Sequence, residues 1–94
     1  MNICLLIGEI CSTIQFDFIL NGKDISIVRF NIKLSNGSIL KVKGYNEIAD
    51  YCYRNLKEGD VVLIEGTLNS KIEVFLKGIN KNKLTSNLIN NIIS

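Results

Sequence analysis

The chain contains no proline, no histidine and no tryptophan, and it has three cysteines in 94 residues. Proline cannot donate a hydrogen bond to a sheet, so its absence is compatible with a chain made mostly of strands. Without histidine, and with Cys4, Cys11 and Cys52 scattered, the usual ligand sets of a zinc site are missing. An odd number of cysteines with no CxxC pair indicates free thiols, which favours a cytoplasmic protein.

The chain also has no large excess of one charge: 11 basic and 9 acidic residues leave a formal net charge of +2. A nucleic-acid partner must therefore be argued from where the charges lie. No apolar run approaches the roughly 20 residues of a membrane span, and the start MNICLLIGEI lacks the basic residues of a signal peptide. We expect no membrane association.

The chain also lacks the residues that catalysis usually requires. It has no histidine, no evident pair of carboxylates sharing a site, and no GxGxxG or GxxxxGK loop. Cys52 falls on a predicted helix face, where a small core residue is a more common role than a nucleophile. We predict a binding protein that is not an enzyme and needs no cofactor.

Alternation of apolar and polar residues predicts five strands. Asn21-Gly22 and Asn36-Gly37 predict tight turns between them, and Gly8 predicts a bulge or bend. The predicted strands are 3–20, Val28–Leu34, Ile39–Tyr45, Val62–Leu68 and Ile72–Ile79. Within 3–20, Cys11-Ser12-Thr13 interrupts the apolar run of Ile3–Ile10, and alternation begins again at Ile14.

One short helix is predicted between the third and fourth strands. Asn46 is a favourable N-cap and Gly59 a favourable stop. Five strands with one helix in this place predict an all-β fold, the five-stranded Greek-key barrel called the OB-fold. We expect this domain over residues 1–83, followed by an Asn-rich tail, 84–94, that is partly ordered or a short helix. The residues at helical spacing would cover one end of the core: Ile48, Tyr51, Cys52 and Leu56.

The second and third strands, joined through the Asn36-Gly37 turn, would share a basic outward face. In an OB-fold this face binds oligonucleotides, with cations along the phosphates and an aromatic ring stacked on a base. Alternating lysines also keep exposed sheets soluble, so the residues alone leave both interpretations open. The face would carry no carboxylate and would consist of Arg29, Asn31, Lys33, Lys41, Lys43 and Tyr45.

The fifth strand has two possible registers. In one, Phe75 and Lys77 point outward beside Glu73 and would join the face; in the other, Phe75 fills the barrel, as a phenylalanine among aliphatic residues more often does. Lys71 and Lys77 lie near the expected groove, where surface solubility explains them equally well. Tyr51 and Tyr53 are interpreted as helix packing rather than base contacts.

Three segments carry a resemblance to the bacterial single-stranded DNA-binding proteins. VRFNIKL (Val28–Leu34) and YNEIADYCYRNLKEGDVVLIEGTL (Tyr45–Leu68) match that family closely, and NICLLIGEI does so more loosely. The resemblance implies single-stranded DNA binding, accessory to replication, recombination or repair, with Tyr45 as a base-stacking residue. It also implies a homo-oligomer, either a dimer or a tetramer, and replication proteins as partners.

The chain departs from the family's pattern at several positions. Ile39 and Ile72-Glu73 stand at or near positions where the family has tryptophans, and the loops at Ser35–Ser38 and Asn69–Ser70 are short. The final residues, Asn-Asn-Ile-Ile-Ser, do not match the acidic tail that recruits replication partners. Since each missing stack removes about 1–3 kcal/mol of affinity, we expect weak, micromolar binding.

Two alternatives stay open from the sequence. RNA would bind by the same contacts as DNA. The barrel could also be a protein-interaction module that has lost nucleic-acid binding and pairs through a sheet edge or its C-terminal Ile/Leu tail.

Overall fold

The computed structural model describes residues 3–20, 22–69, 71 and 73–81. The predicted tail, 84–94, and the boundary before it lie outside these residues. Within them the chain forms strands β1 (Ile3–Ile10), β2 (Gln15–Leu20), β3 (Asp24–Lys33), β4 (Ile39–Tyr45), helix α1 (Glu47–Asn55), and strands β5 (Val61–Leu68) and β6 (Glu73–Lys81).

The strands form one sheet in the order β1-β5-β6-β4-β3-β2. The sheet closes on itself because the end of β1 also pairs with the end of β3, where Glu9 lies opposite Lys33 and Ile10 opposite Ile32. In the described part of the chain every strand pairing is antiparallel except that of β4 with β6. This closed sheet with one helix is the OB-fold predicted from the sequence.

The predicted first strand, 3–20, is two strands in the structure. Between them the chain stays attached to β3: the Cys11 amide donates to the Asn31 carbonyl (2.9 Å), and the Asn31 amide donates to Ser12 Oγ (2.8 Å). The hydroxyl of Ser12 replaces a regular ladder contact, and the chain passes from pairing with β5 to pairing with β3. Because the first predicted strand counts as two, the helix lies between β4 and β5 rather than between the third and fourth strands. It still follows Ile39–Tyr45 and precedes the strand that ends at Leu68, as predicted.

Of the bulge or bend predicted at Gly8, the bulge is absent. The register of β1 with β5 runs without a shift from Ile3 to Glu9. Glycine fits this position for another reason: a Cβ here would lie 3.1 Å from the Lys33 carbonyl oxygen and 3.2 Å from Ile32 Cβ, which is a tight contact. Gly8 therefore lets β1 approach β3 where the barrel closes.

In the predicted strands Val28–Leu34, Ile39–Tyr45 and Val62–Leu68 the inward side chains are those that the alternation predicts, whereas Phe18 and Leu20 on the apolar side of β2 are exposed. Ala49, Cys52 and Leu56 of the helix segment are buried and cover one end of the barrel. Tyr51, an alternative core residue from the sequence, is exposed, whereas Tyr53 stacks on Phe16 with 4.5 Å between ring centroids. The fully buried strand residues are Ile10, Val28, Ile32, Val42, Val62, Ile64 and Val74, each worth about 1.5–3 kcal/mol when removed from water.

The predicted start of the helix is confirmed, but the predicted stop at Gly59 is wrong. Asn46 occupies the N-cap position, but its side chain makes no capping hydrogen bond, and its backbone lies at φ 60°, ψ −122°. The helix ends at Asn55, four residues before Gly59. Gly59 (φ 96°) turns the chain back, and its amide donates to the Ile10 carbonyl at 2.8 Å. No helix in the described ranges has the length and apolar character needed to cross a membrane.

Candidate nucleic-acid interface

Strands β3, β4 and β6 bring the predicted basic residues onto one side of the barrel. On β3, Arg29 lies opposite Lys43 and Asn31 opposite Lys41. The parallel pairing with β6 places Glu73 beside Lys41 and Phe75 beside Lys43. We call this surface the outer face; it consists of Ile27, Arg29, Asn31, Lys41, Lys43, Tyr45, Glu73 and Phe75.

The register of β6 puts Phe75 on the outer face. Its neighbours Val74 and Leu76 are buried, while Phe75 is half-buried and lies beside Lys43 on one strand and Thr67 on the other. Of the two registers that the sequence leaves open, the outward one holds. The outer face thus carries Phe75 as well as Tyr45.

Tyr45 stands at the end of β4 over an apolar neighbour. It is 41% exposed, and Ile27, directly opposite on β3, is 9% exposed. Ile27 lies between Tyr45 and Asp17 on its flanking strands. One face of the ring is therefore available to solvent, next to apolar surface, which suits stacking on a base.

The prediction that this surface has no carboxylate is wrong. Asp17 Oδ2 lies 2.9 Å from Arg29 Nη1, and Glu73 Oε2 lies 3.9 Å from Lys43 Nζ. The prediction considered β3 and β4 alone, whereas β2 supplies Asp17 and β6 supplies Glu73 from either side. Two cations of the predicted face are thus already paired.

Glu73 has both side-chain and backbone contacts in this position. Asn69 Nδ2 donates to its Oε1 at 3.3 Å, while Lys43 lies beside Oε2. Its own amide donates to Asn69 Oδ1 at 2.9 Å. Its two carboxylate oxygens therefore have different neighbours, an amide for Oε1 and a lysine of β4 for Oε2.

An open groove of about 300 Å³ runs across the outer face between the segment 12–15 and Glu73. Its polar walls could make hydrogen bonds as well as ion pairs. They include Ser12, Gln15, Arg29, Asn31, Lys41 and Glu73. Sequence reasoning missed Ser12 and Gln15, because the segment 12–15 folds over β3 through hydrogen bonds that strand alternation cannot predict.

The other predicted site residues lie around the rim. Lys33 is exposed at the far end of β3, opposite Ile39 and Glu9. Lys71 is exposed and lines a second opening with Ile39, Lys41 and Glu73. Lys77 is exposed two residues beyond Phe75. These three lysines could contact phosphates at the edges but not at the centre.

The thiols give no sign of chemistry. Cys4, Cys11 and Cys52 are all free. Burial raises the pKa of the Cys52 thiol to about 12, so a thiolate nucleophile is disfavoured there. No cluster of three or more metal-ligating side chains occurs among the residues that the structure describes.

Comparisons with known proteins identify the fold. No protein-family model and no curated protein matches the chain. Among solved structures, an SSB domain from Synechococcus sp. is 21% identical with a TM-score of 0.76, over 85% of this chain and 94% of that one.

Two further solved structures have the same fold as this chain. The single-stranded DNA binding protein from Thermus aquaticus is 21% identical with a TM-score of 0.73, over 88% of this chain and 41% of that one. The protein priB from Ralstonia solanacearum is 13% identical with a TM-score of 0.69, over 87% and 99% of the two chains. The chain therefore has the OB-fold found in bacterial single-stranded DNA-binding proteins.

Proposed function

We propose that this protein binds single-stranded DNA through the outer face, by stacking and phosphate contacts that do not depend on sequence. The observation that carries the proposal is the placement of Tyr45 and Phe75 on the same open face as Lys41 and Lys43. The folds of the SSB domain and of the Thermus protein, which is named for binding single-stranded DNA, support it. An accessory role in replication, recombination or repair is part of this proposal.

The two rings have a spacing that suits neighbouring bases. They lie on adjacent strands and two residues apart along them, which separates their Cα atoms by about 8 Å. Bases in a single strand can be spread over such a distance, whereas a duplex keeps them stacked on each other. Each base stacked on an aromatic side chain contributes about 1–3 kcal/mol.

The ion pairs weaken the electrostatic part of binding. If Arg29 and Lys43 stay paired with Asp17 and Glu73, Lys41 on the outer face and Lys33 at its rim are left to neutralise phosphates. The slope of log K against log salt would then be about −1.4 for a single strand, against about −2.8 if all four cations engage. The measured slope therefore reports whether the ion pairs open on binding.

The test is a fluorescence anisotropy titration with oligo-dT, oligo-rU and a duplex of equal length at about 50 and 200 mM salt, a range over which phosphate contacts weaken measurably. We expect micromolar binding of oligo-dT and weaker binding of the duplex. Equal binding of oligo-rU would extend the proposal to RNA. No binding of oligo-dT at the lower salt would exclude the function.

A second surface supports a homo-oligomer. The outward side chains of β1 form an apolar row, with Ile3 56%, Leu5 69% and Ile7 56% exposed, continued by Leu63 of β5 at 37%. Over the residues Ile3–Gly8, β1 pairs with β5 on one side and has no described strand on the other. We propose that a second copy of the chain covers this row.

The same row supports the competing function, a protein-interaction module without nucleic-acid binding. The ion pairs of Arg29 and Lys43 also favour it, since they neutralise part of the outer face. The two functions differ in which surface they require, so the oligo-dT titration separates them.

A further inference from the structure

Glu73 is out of place on a surface that binds phosphates. Its charge repels them, yet Asn69 and Lys43 hold its carboxylate on the outer face beside the groove. An ionised carboxylate can only accept hydrogen bonds. In a single strand, the groups that need acceptors are the N–H groups of the bases.

We propose that Glu73, together with Lys41, gives the outer face a preference for guanine at one bound nucleotide. This inference rests on the proposed function, since it requires that a single strand lies on the outer face. It adds a selective contact to stacking and phosphate contacts that do not read sequence.

The chemistry of the base edges selects guanine. Guanine presents two neighbouring N–H donors, at N1 and at the N2 amino group, and beside them the acceptor O6. The two oxygens of one carboxylate can accept both donors while a lysine donates to O6. Adenine and cytosine offer one amino group there and thymine one imino group, so each leaves an oxygen of the carboxylate unused.

The positions of both side chains fit this arrangement. Lys41 is the neighbour of Glu73 across the β4–β6 pairing, and both line the groove. Within the described residues Lys41 has no ion-pair partner, so its ammonium group can donate to a base. Each Glu73 oxygen has one described partner, Asn69 or Lys43, and a carboxylate accepts about four hydrogen bonds in all.

The turn before β6 does not depend on the Glu73 carboxylate. The Asn69 amide donates to the Glu73 carbonyl at 3.0 Å, and the Glu73 amide donates to Asn69 Oδ1 at 2.9 Å. These contacts involve the Glu73 backbone, and Glu73→Gln leaves them in place. The variant therefore tests the carboxylate rather than the fold.

The experiment compares three eight-nucleotide strands by anisotropy: all thymine, the same strand with one central guanine, and the same strand with hypoxanthine there. A single guanine prevents quadruplex formation, and hypoxanthine lacks the N2 amino group alone. We expect the guanine strand to bind about tenfold more tightly than the thymine strand, as one good base contact allows, with hypoxanthine in between.

Glu73→Gln should abolish the guanine preference and bind the thymine strand at least as tightly as the unaltered protein does, because a negative charge is removed. Glu65→Gln is the matched control, since Glu65 is exposed on β5 beside Leu5 and Gly78, and it should keep the preference.

Equal binding of the thymine and guanine strands overturns the inference and leaves the proposed function standing. A preference that survives in Glu73→Gln also overturns it. Failure of every strand to bind overturns the proposed function and the inference together.

Discussion

Tyr45 lies where three local features meet. It is the last residue of β4, its ring stands opposite the buried Ile27, and the next residue, Asn46, turns the chain sharply at φ 60° into the helix. The turn leaves the ring at the edge of the barrel, where solvent reaches it. This position makes Tyr45 the residue on which the proposed binding depends most.

Tyr45→Ala should weaken oligo-dT binding by about 1–3 kcal/mol, because it removes a stacking surface. Tyr45→Phe should bind almost normally, since the ring rather than the hydroxyl is required. Tyr51→Ala is the matched control, an exposed helix tyrosine whose loss should not change binding. An unchanged affinity in Tyr45→Ala, measured by anisotropy, would remove Tyr45 from the interface.

Asn46 adopts an unfavourable backbone conformation at this turn. Its φ of 60° with ψ of −122° lies outside the left-handed well, and its side chain makes no capping bond in compensation. Asn46→Gly should therefore raise the free energy of unfolding by about 1 kcal/mol, after allowing for the greater freedom of glycine in the unfolded chain. Urea unfolding at constant protein concentration measures this, and a less stable variant would contradict it.

For individual residues, the sequence predicts which side chains point outward but not which of them form ion pairs. Alternation alone identifies Arg29, Lys41 and Lys43 correctly as outward. The partners Asp17 and Glu73 come from strands far away in the chain, and their arrival depends on the register of β2 and β6. Local patterning carries no information on that register, so the ion pairs could not be predicted.

Among the elements, β6 adds an aromatic ring, Phe75, and a carboxylate, Glu73, to the outer face. A shift in its register with β5 falls between Glu65 and Gly66, which lie opposite Gly78 and Leu76. Gly66 packs directly against the Phe75 carbonyl, with no room for a side chain. The close approach of Gly66 to the Phe75 backbone occurs in the same register of β5 and β6 in which the Phe75 side chain points outward.

Gly66→Ala should lower the free energy of unfolding by about 1–3 kcal/mol, because its methyl group would collide with the Phe75 carbonyl and with Val74. Gly78→Ala is the matched control: the nearest atom to its methyl group would be Glu65 Oε2, at 3.3 Å on a flexible side chain. We expect the control to change stability by no more than about 0.5 kcal/mol. Similar losses in both variants, measured by urea unfolding, would contradict the proposed role of Gly66.

The elements themselves were largely predictable. Period-2 alternation in Val28–Leu34 and the turn at Asn36-Gly37 follow from local chemistry, and both appear in the structure. Asn21 of the other predicted turn lies outside the described residues. The interruption at Cys11-Ser12-Thr13 is visible in the sequence, but that it separates two strands depends on hydrogen bonds from Cys11 and to Ser12 across to β3. Such contacts between distant parts of the chain are invisible to a sliding pattern.

For the whole molecule, two surfaces serve two proposed roles. The outer face is polar and grooved, whereas the β1 row of Ile3, Leu5 and Ile7 is apolar. An exposed apolar row on a sheet edge is a common place for another chain to pair. Assembly through β1 would leave β3, β4 and β6 open for a nucleic acid.

Leu5→Lys should therefore shift the protein toward monomers in size-exclusion chromatography with light scattering, because a charge replaces the centre of the row. Leu20→Lys is the matched control, an exposed apolar residue on β2 at 75% exposure, and it should leave the mass unchanged. A monomeric unaltered protein, or an unchanged mass in Leu5→Lys, would contradict assembly through this row.

Amide chemical shifts on adding oligo-dT locate the bound strand on the surface of the barrel. We predict that the changes cluster on the outer face, at Arg29, Asn31, Lys41–Tyr45 and Glu73–Phe75, and spare Ile3–Ile7 and Leu63. Changes confined to β1 and β5, or none at saturating oligo-dT, would exclude binding through the outer face.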